Sequence, residues 1–157
     1  MPSSITIVAV GRKNGVLDEE VDRYVKLLRP FAHISITLIK PLQLPENQHA
    51  ERIERESAAL QAKWPPKDRG APVALSEEGR LRTSREFSEW LDVRLRRDKS
   101  IAFTIGGAYG LSAQLKKRCA EIISLSPMTL PHKLCVVVLI EQIYRAFTIL
   151  HNHPYHK

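Results

Sequence analysis

Hydrophobic and polar positions along this chain alternate between two rhythms, one of strands and one of helices. "ITIVAV" (Ile5–Val10) is continuous, β-branched and stopped by Gly11, which predicts a buried strand. Val21, Tyr24, Val25 and Leu28 then recur at helical spacing, and Pro30 ends that helix. "HISITLI" (His33–Ile39) alternates as a strand. Pro41 and Pro45 bracket a loop, Glu46–Lys63 is charged and helix-prone, and "WPPKDRG" (64–70) breaks the helix. "APVAL" (Ala71–Leu75) reads as a short strand closed by the turn "SEEG". Thr83, with Glu86 three residues on, forms a capping box for a helix to about Arg97. "SIAFTI" (Ser100–Ile105) is the next strand and runs into "GGAYG". Ser112 caps a helix expected to reach about Ile123, and "SLSPMTLP" is an extended loop with room for a short strand. His132–Leu150 closes the chain as a very apolar helix.

The order β-α-β-α-β-α-β-α-(β)-α predicts an α/β fold with a mainly parallel sheet and helices on both faces. No repeat, low-complexity stretch or linker interrupts it, so residues 1–157 are expected to form a single domain. Ligands of such sheets bind at the carboxyl ends of strands. Three loops qualify: Ser76–Gly79, Gly106–Gly110 and Leu125–Leu130. The last helix carries only two charges from Leu134 to Leu150, Glu141 and Arg145, at a spacing that lets them pair. A helix with no solvated face needs cover on several sides, and a second subunit is the expected cover.

Charge narrows the partner. A net charge of +7 favours a polyanion, with nucleic acid ahead of an anionic membrane. Arg12 and Lys13 stand just beyond the first strand, where they can meet RNA phosphates. The Arg94, Arg96, Arg97, Lys99 cluster and the Lys116–Arg118 run are expected to be solvated helix faces. Cys119 and Cys135 lack CxxC spacing and read as reduced, buried thiols. The longest strongly apolar run, "LCVVVLI", falls far short of the roughly 20 residues of a membrane helix. No signal peptide is visible, and the protein is expected in the cytoplasm.

Motifs exclude more than they assign. "IGGAYGLS" (Ile105–Ser112) is glycine-rich at a strand-to-helix junction, yet it is neither a Walker A loop nor GxGxxG. "VGRKNG" also fails GxGxxG, which argues against an ordinary Rossmann dehydrogenase or methyltransferase. The terminal His151, His153 and His156 have no Cys, Asp or Glu beside them and match metal sites poorly, so no metal is expected. No nucleophilic serine motif or paired-carboxylate signature favours hydrolysis.

"IGGAYGLS", "LSPMTLPH", "EQIYRAFTI" and the terminal "NHPYHK", in that order, resemble the RlmH family of SPOUT-class RNA methyltransferases. The resemblance spans the whole chain, including the opening "ITIVAVGR" and "VALSEEGR". It implies an S-adenosylmethionine-dependent enzyme that methylates N3 of a pseudouridine in bacterial 23S rRNA, acting on the assembled ribosome. It also implies a homodimer with a trefoil knot near the C-terminal end. Carried over by position, Leu75, Gly106, Leu125, Ser126, Pro127, Met128, Thr129 and Leu130 would line the cofactor. Ser76 stands where many relatives carry Asp, so an acidic role there is absent.

The tail would then enter the active site of the other subunit. Methyl transfer needs an aligned nucleophile and no metal. An imide N–H must lose its proton to attack well, and histidine has a suitable pKa. His153 and His156 are the candidate bases, Tyr155 orients the base or stacks on it, and Arg145, held by Glu141, stabilises the imidate. The alternatives are a SPOUT enzyme with another RNA target and a non-catalytic RNA-binding protein.

Overall fold

A computed structural model describes residues 2–13, 15–66 and 70–157 of the chain. Five strands, β1 (Ser3–Val10), β2 (Ala32–Ile39), β3 (Val73–Leu81), β4 (Ser100–Ile105) and β5 (Glu121–Ser124), pair in the order β2-β1-β4-β3-β5. Every pairing between them is parallel. Five α-helices alternate with them: α1 (Val16–Leu28), α2 (His49–Gln61), α3 (Ser84–Asp98), α4 (Ala113–Arg118) and α5 (His132–Leu150). A 3-10 turn, Glu46–Gln48, leads into α2. The expected break after α2 falls partly on residues 67–69, outside the described residues.

Strand alternation sets the two faces. From β1, Ile5, Ile7 and Ala9 join the core under α1, α3 and α5, with Leu91, Phe103, Leu139, Ile140 and Ile143. Val8 and Val10 point the other way, to Leu60 of α2 and Leu115 of α4. Leu28, Leu60, Leu91, Leu115 and Leu139 are each 0% exposed, and each such burial stabilises the fold by about 1.5–3 kcal/mol. The α3 capping box forms as expected, with Thr83 Oγ1 accepting from Glu86 N–H and Glu86 accepting from Thr83 N–H.

Two segments differ from the sequence reading. "SEEG" does not end β3: the strand runs on to Leu81, with a register break between Leu75 and Arg80, both of which face Ile123. Gly79 permits this, because a Cβ there would stand 2.6 Å from the Ile123 carbonyl carbon. The helix begun at Ser112 stops at Arg118, because Cys119 turns extended (φ −81°, ψ 146°). Residues 121–123, expected to be helical, then join Ser124 in pairing with β3 as β5. The β-branched pair Ile122–Ile123 fits a strand beside Ala74 and Leu75.

Arg96, Arg97 and Lys99 are exposed as expected, but Arg94 of the same cluster is not. Arg94 is 7% exposed, donates to Ala71 O at 3.1 Å and pairs with Asp98, while Arg96 pairs with Asp92. No described helix is long and apolar enough to cross a membrane.

Candidate active site

Parallel pairing brings Leu75 level with the two loops. Leu75 lies opposite Ile105 in β4 and Ile123 in β5, so it stands where β3 parts from β4, beside the ends of β4 at Gly106 and β5 at Leu125, while β3 itself runs on to Leu81. The glycine loop folds tightly: Gly110 N–H donates to Gly107 O at 3.1 Å. A Cβ on Gly106 would lie 2.7 Å from the Gly110 carbonyl carbon, so only glycine permits that approach. Ser112 ends the loop by capping α4, its Oγ accepting from Leu115 N–H.

Helix α2 braces this loop, which sequence reasoning missed. Ser57 Oγ accepts from Ser112 N–H at 2.9 Å, and the Arg52 guanidinium lies over the Tyr109 ring. Glu56, 2% exposed, accepts from Leu42 N–H at 2.8 Å and turns its other oxygen toward Gly107. The signal was a charged helix whose Glu56 and Ser57 adjoin Leu60 on the buried face.

The third loop is held by serines. Ser124 Oγ donates to Ser126 O at 2.8 Å, and Ser126 Oγ accepts from Met128 N–H at 3.0 Å. Met128 is 74% exposed, unusual for a large apolar side chain and suited to covering a ligand. Beside Ser124 and Leu125 a cavity of about 210 Å³ opens, edged by Arg80, Arg82 and Gln142.

The tail folds back along α5. Arg145 donates to Glu141 Oε1 and to His156 Nδ1 (3.0 Å), and its guanidinium lies 4.9 Å from the Tyr155 ring centre. Tyr155 donates to Glu141 Oε1 at 3.1 Å and contacts the hydroxyl of Tyr24 at 3.2 Å. Burial, with the Tyr24 bond and the Glu141 charge, pushes the Tyr155 phenol well up, so it stays protonated at neutral pH. A guanidinium only donates, so His156 Nδ1 accepts and the neutral ring carries its proton on Nε2.

Arg145, Tyr155 and His156 thus form one cluster with Glu141, while His153 stands apart. The His153 ring meets Phe31 edge-on at 5.9 Å, and its backbone N–H donates to Thr148 O. Along α5, Arg145 lies about 20 Å from His132, which sits at the loop end of the sheet. Arg12 and Lys13 are exposed at the end of β1. Among the described residues no group of three or more His, Cys, Asp or Glu is placed to hold a metal.

A parallel sheet wound on both faces, with the loops after β4 and β5 gathered beside Leu75 of β3, defines an α/β ligand-binding enzyme fold. The family model described as "Predicted SPOUT methyltransferase" matches residues 3–156, and the chain belongs to this family. It is 39% identical to the Ribosomal RNA large subunit methyltransferase H of Bacillus cytotoxicus, over 98% of this chain and 99% of that one. It is 38% identical to the protein of the same name from Bacillus anthracis, with the same coverage of both chains. Solved structures share the fold at low identity. A "Probable Methyltransferase" from Bordetella pertussis Tohama I has TM-score 0.54 at 16% identity, covering 92% of this chain and 96% of that one. A methylase family protein from Neisseria gonorrhoeae has TM-score 0.52 at 13% identity, covering 97% and 94%.

Proposed function

We propose that this chain methylates N3 of a pseudouridine in large-subunit ribosomal RNA, using S-adenosylmethionine, on the assembled ribosome. The observation that carries the reading is the gathering of Leu75, Gly106 and Leu125 at one sheet edge, with a separate Arg145–Tyr155–His156 cluster in the tail. The target follows the names of the full-length relatives and the motif resemblance.

The loops fit the cofactor. Leu75 and Leu125 would offer apolar contact, Gly106 projects no side chain, and the exposed Met128 would cover the adenine. Ser126, Pro127, Thr129 and Leu130 contribute the turn of backbone around it. When bound, the cofactor supplies a methyl group on a sulfonium, ready for in-line attack.

The tail works on the base. Arg145 and the Nε2–H of His156 donate to the carbonyl oxygens of the target ring, stabilising the charge left when N3 loses its proton. With His156 holding Nε2–H, it acts as a donor, and the N3 proton passes to solvent or to His153. Tyr155 keeps Arg145 and Glu141 in place and lays its ring beside the base.

Arg145 lies about 20 Å along α5 from His132, and the reading includes a homodimer in which each tail serves the partner's cofactor. The uncovered side of α5 supports the same assembly: Leu134 is 37% exposed, and Val137 and Val138 are half-buried. The reading includes the trefoil knot and a cytoplasmic location, where Cys119 and Cys135 remain thiols.

Mass spectrometry of 23S rRNA from cells lacking the protein tests the target. A single N3-methylpseudouridine is expected to disappear and to return with the wild-type chain. An unchanged pattern refutes the assignment.

A further inference from the structure

A second cavity, of about 120 Å³, opens at the carboxyl end of β1 between the first turns of α1 and α5. Its lining is apolar, with Val10, Val21, Ile36, Leu38 and Val136 among the contributors. Its charged lining is mixed: the cations Arg12, Lys13 and Lys133 with the carboxylates Asp18 and Asp22, and His132 beside them. Among the described residues the side chains of Arg12, Lys13, Asp18 and Asp22 make no hydrogen bond or ion pair. The cavity meets the end of β1 at Val10, whose side chain turns to the opposite face of the sheet, against Gly107.

An apolar slot edged by the unpaired Arg12 and Lys13 and by unpaired carboxylates suits a ligand with three features: a flat ring, an anion and amino donors. A nucleotide of cytosine, adenine or guanine has all three. Its phosphate meets Arg12 and Lys13, its ring fills the slot, and its exocyclic amino group donates to Asp18 or Asp22. Uracil and pseudouridine lack that group and offer a carboxylate only their ring N–H. The slot therefore favours amino-bearing bases over the methylated one.

Resting on the RNA-methyltransferase reading, we propose that this cavity holds an unstacked, amino-bearing nucleotide that neighbours the target in the RNA. RNA-modifying enzymes read splayed-out bases and flanking nucleotides in this way. Held there, the neighbour fixes the register in which the target reaches the cofactor loops.

The test titrates CMP, AMP, GMP, UMP and inorganic phosphate separately into the full-length protein, reading the backbone amide signals of Leu17–Asp22 and His132–Val136. At least one amino-bearing nucleotide is expected to bind about tenfold more tightly than UMP, the discrimination one good base contact gives. Asp22→Asn, at an exposed helix position, should erase that preference while leaving the melting temperature unchanged. Val21→Phe, which fills the slot, should abolish binding of every nucleotide while S-adenosylmethionine still binds.

Four results overturn the proposal. Inorganic phosphate could shift the signals as strongly as any nucleotide, or UMP could bind as well as the others. S-adenosylmethionine could compete for the slot. No probe could bind because a second copy of the chain covers it. Failure of the rRNA assignment would appear instead in the 23S experiment, so the two outcomes are separable.

Discussion

Removing Asn152–Lys157 should leave a folded dimer that no longer turns over. Asn152, His153, Pro154 and Lys157 are exposed, and only Tyr155 and His156 are partly covered. The tail is held by the Tyr155 hydroxyl on Glu141 and Tyr24, by Arg145 on His156, and by the Arg145–Tyr155 ring contact. A hydrogen bond to a charged group contributes about 1.5–3 kcal/mol and an exposed cation–π contact about 0.5–1 kcal/mol. Deletion also frees the tail's own entropy, so the net stability loss should be about 1–3 kcal/mol, a fall of a few degrees in Tm. Turnover, by contrast, should drop by at least about 100-fold, because the His156 donor is gone and Arg145 has lost the Tyr155 and His156 contacts that position it. Mixing experiments locate the site. Tail-deleted subunits are combined with Gly106→Ala subunits, whose added Cβ displaces the glycine loop. If each tail serves the partner, a mixed dimer has one intact site, and random pairing restores about a quarter of wild-type activity. A tail that served its own subunit would restore none. Full activity in the truncated protein would refute the role of the tail altogether.

Further outcomes follow from single sites. Gly79→Ala drives a Cβ to 2.6 Å from the β5 backbone and should cost about 1–3 kcal/mol, seen as a lower urea midpoint. Thr83→Ala removes the α3 cap and should cost about 1 kcal/mol by the same assay. Burial pushes the Cys119 thiol up from 9.0 to about 11, so at pH 8 it should react about 100-fold more slowly with a disulfide reagent than in the unfolded chain. Burial alone would raise the Glu121 carboxyl, but hydrogen bonds from Arg82 and Trp90 outweigh it and hold the group below its ordinary 4.5. A lowered folded pKa stabilises above the unfolded value and is lost as pH falls through the folded one. Wild-type stability should therefore decline below about pH 4.5 more steeply than that of Glu121→Gln.

Pattern reading succeeded where one period governed a segment. β1, α3, β4 and α5 follow from β-branched runs, a capping box and an apolar 3.6-residue repeat, and α5 spans His132–Leu150 as expected. It failed where a tertiary contact decided. Residues 119–124 are too short for either a helical or a strand period to show. The end of α4 is set by Cys119 turning extended and by Ala120 N–H reaching Pro72 O, a partner far away in the chain. "SEEG" carries every mark of a turn. It stays within a strand because Arg80 and Leu81 regain partners on β5 after the break. Arg94 was misplaced for a related reason: its role depends on the carbonyl of Ala71, which nothing local announces.

The candidate site divides along the same line. Gly106 and Leu125 were legible because parallel strands put their carboxyl ends on one edge; Leu75 fell beside them although β3 runs on past it. The bracing by Arg52, Glu56 and Ser57 was not legible, since it needs the α2 face to be set against a loop some 50 residues on. In the tail, spacing left His153 and His156 equivalent. The fold separates them: Asn152 takes a positive φ of 56°, and the chain turns back. His153 is left beside Phe31, while Tyr155 and His156 return to the charges at Glu141 and Arg145. That turn also fixes the chemistry each histidine can offer. His156, facing a guanidinium through Nδ1, presents a proton and not a lone pair, so a search for the base by residue type alone would choose the wrong atom. The pH profile decides the matter. With Arg145 and His156 as donors and no side-chain base, the rate should rise with pH until N3 itself is ionised. A His153→Ala variant should keep that profile, and a loss of the rise near neutral pH in that variant would return the proton to His153.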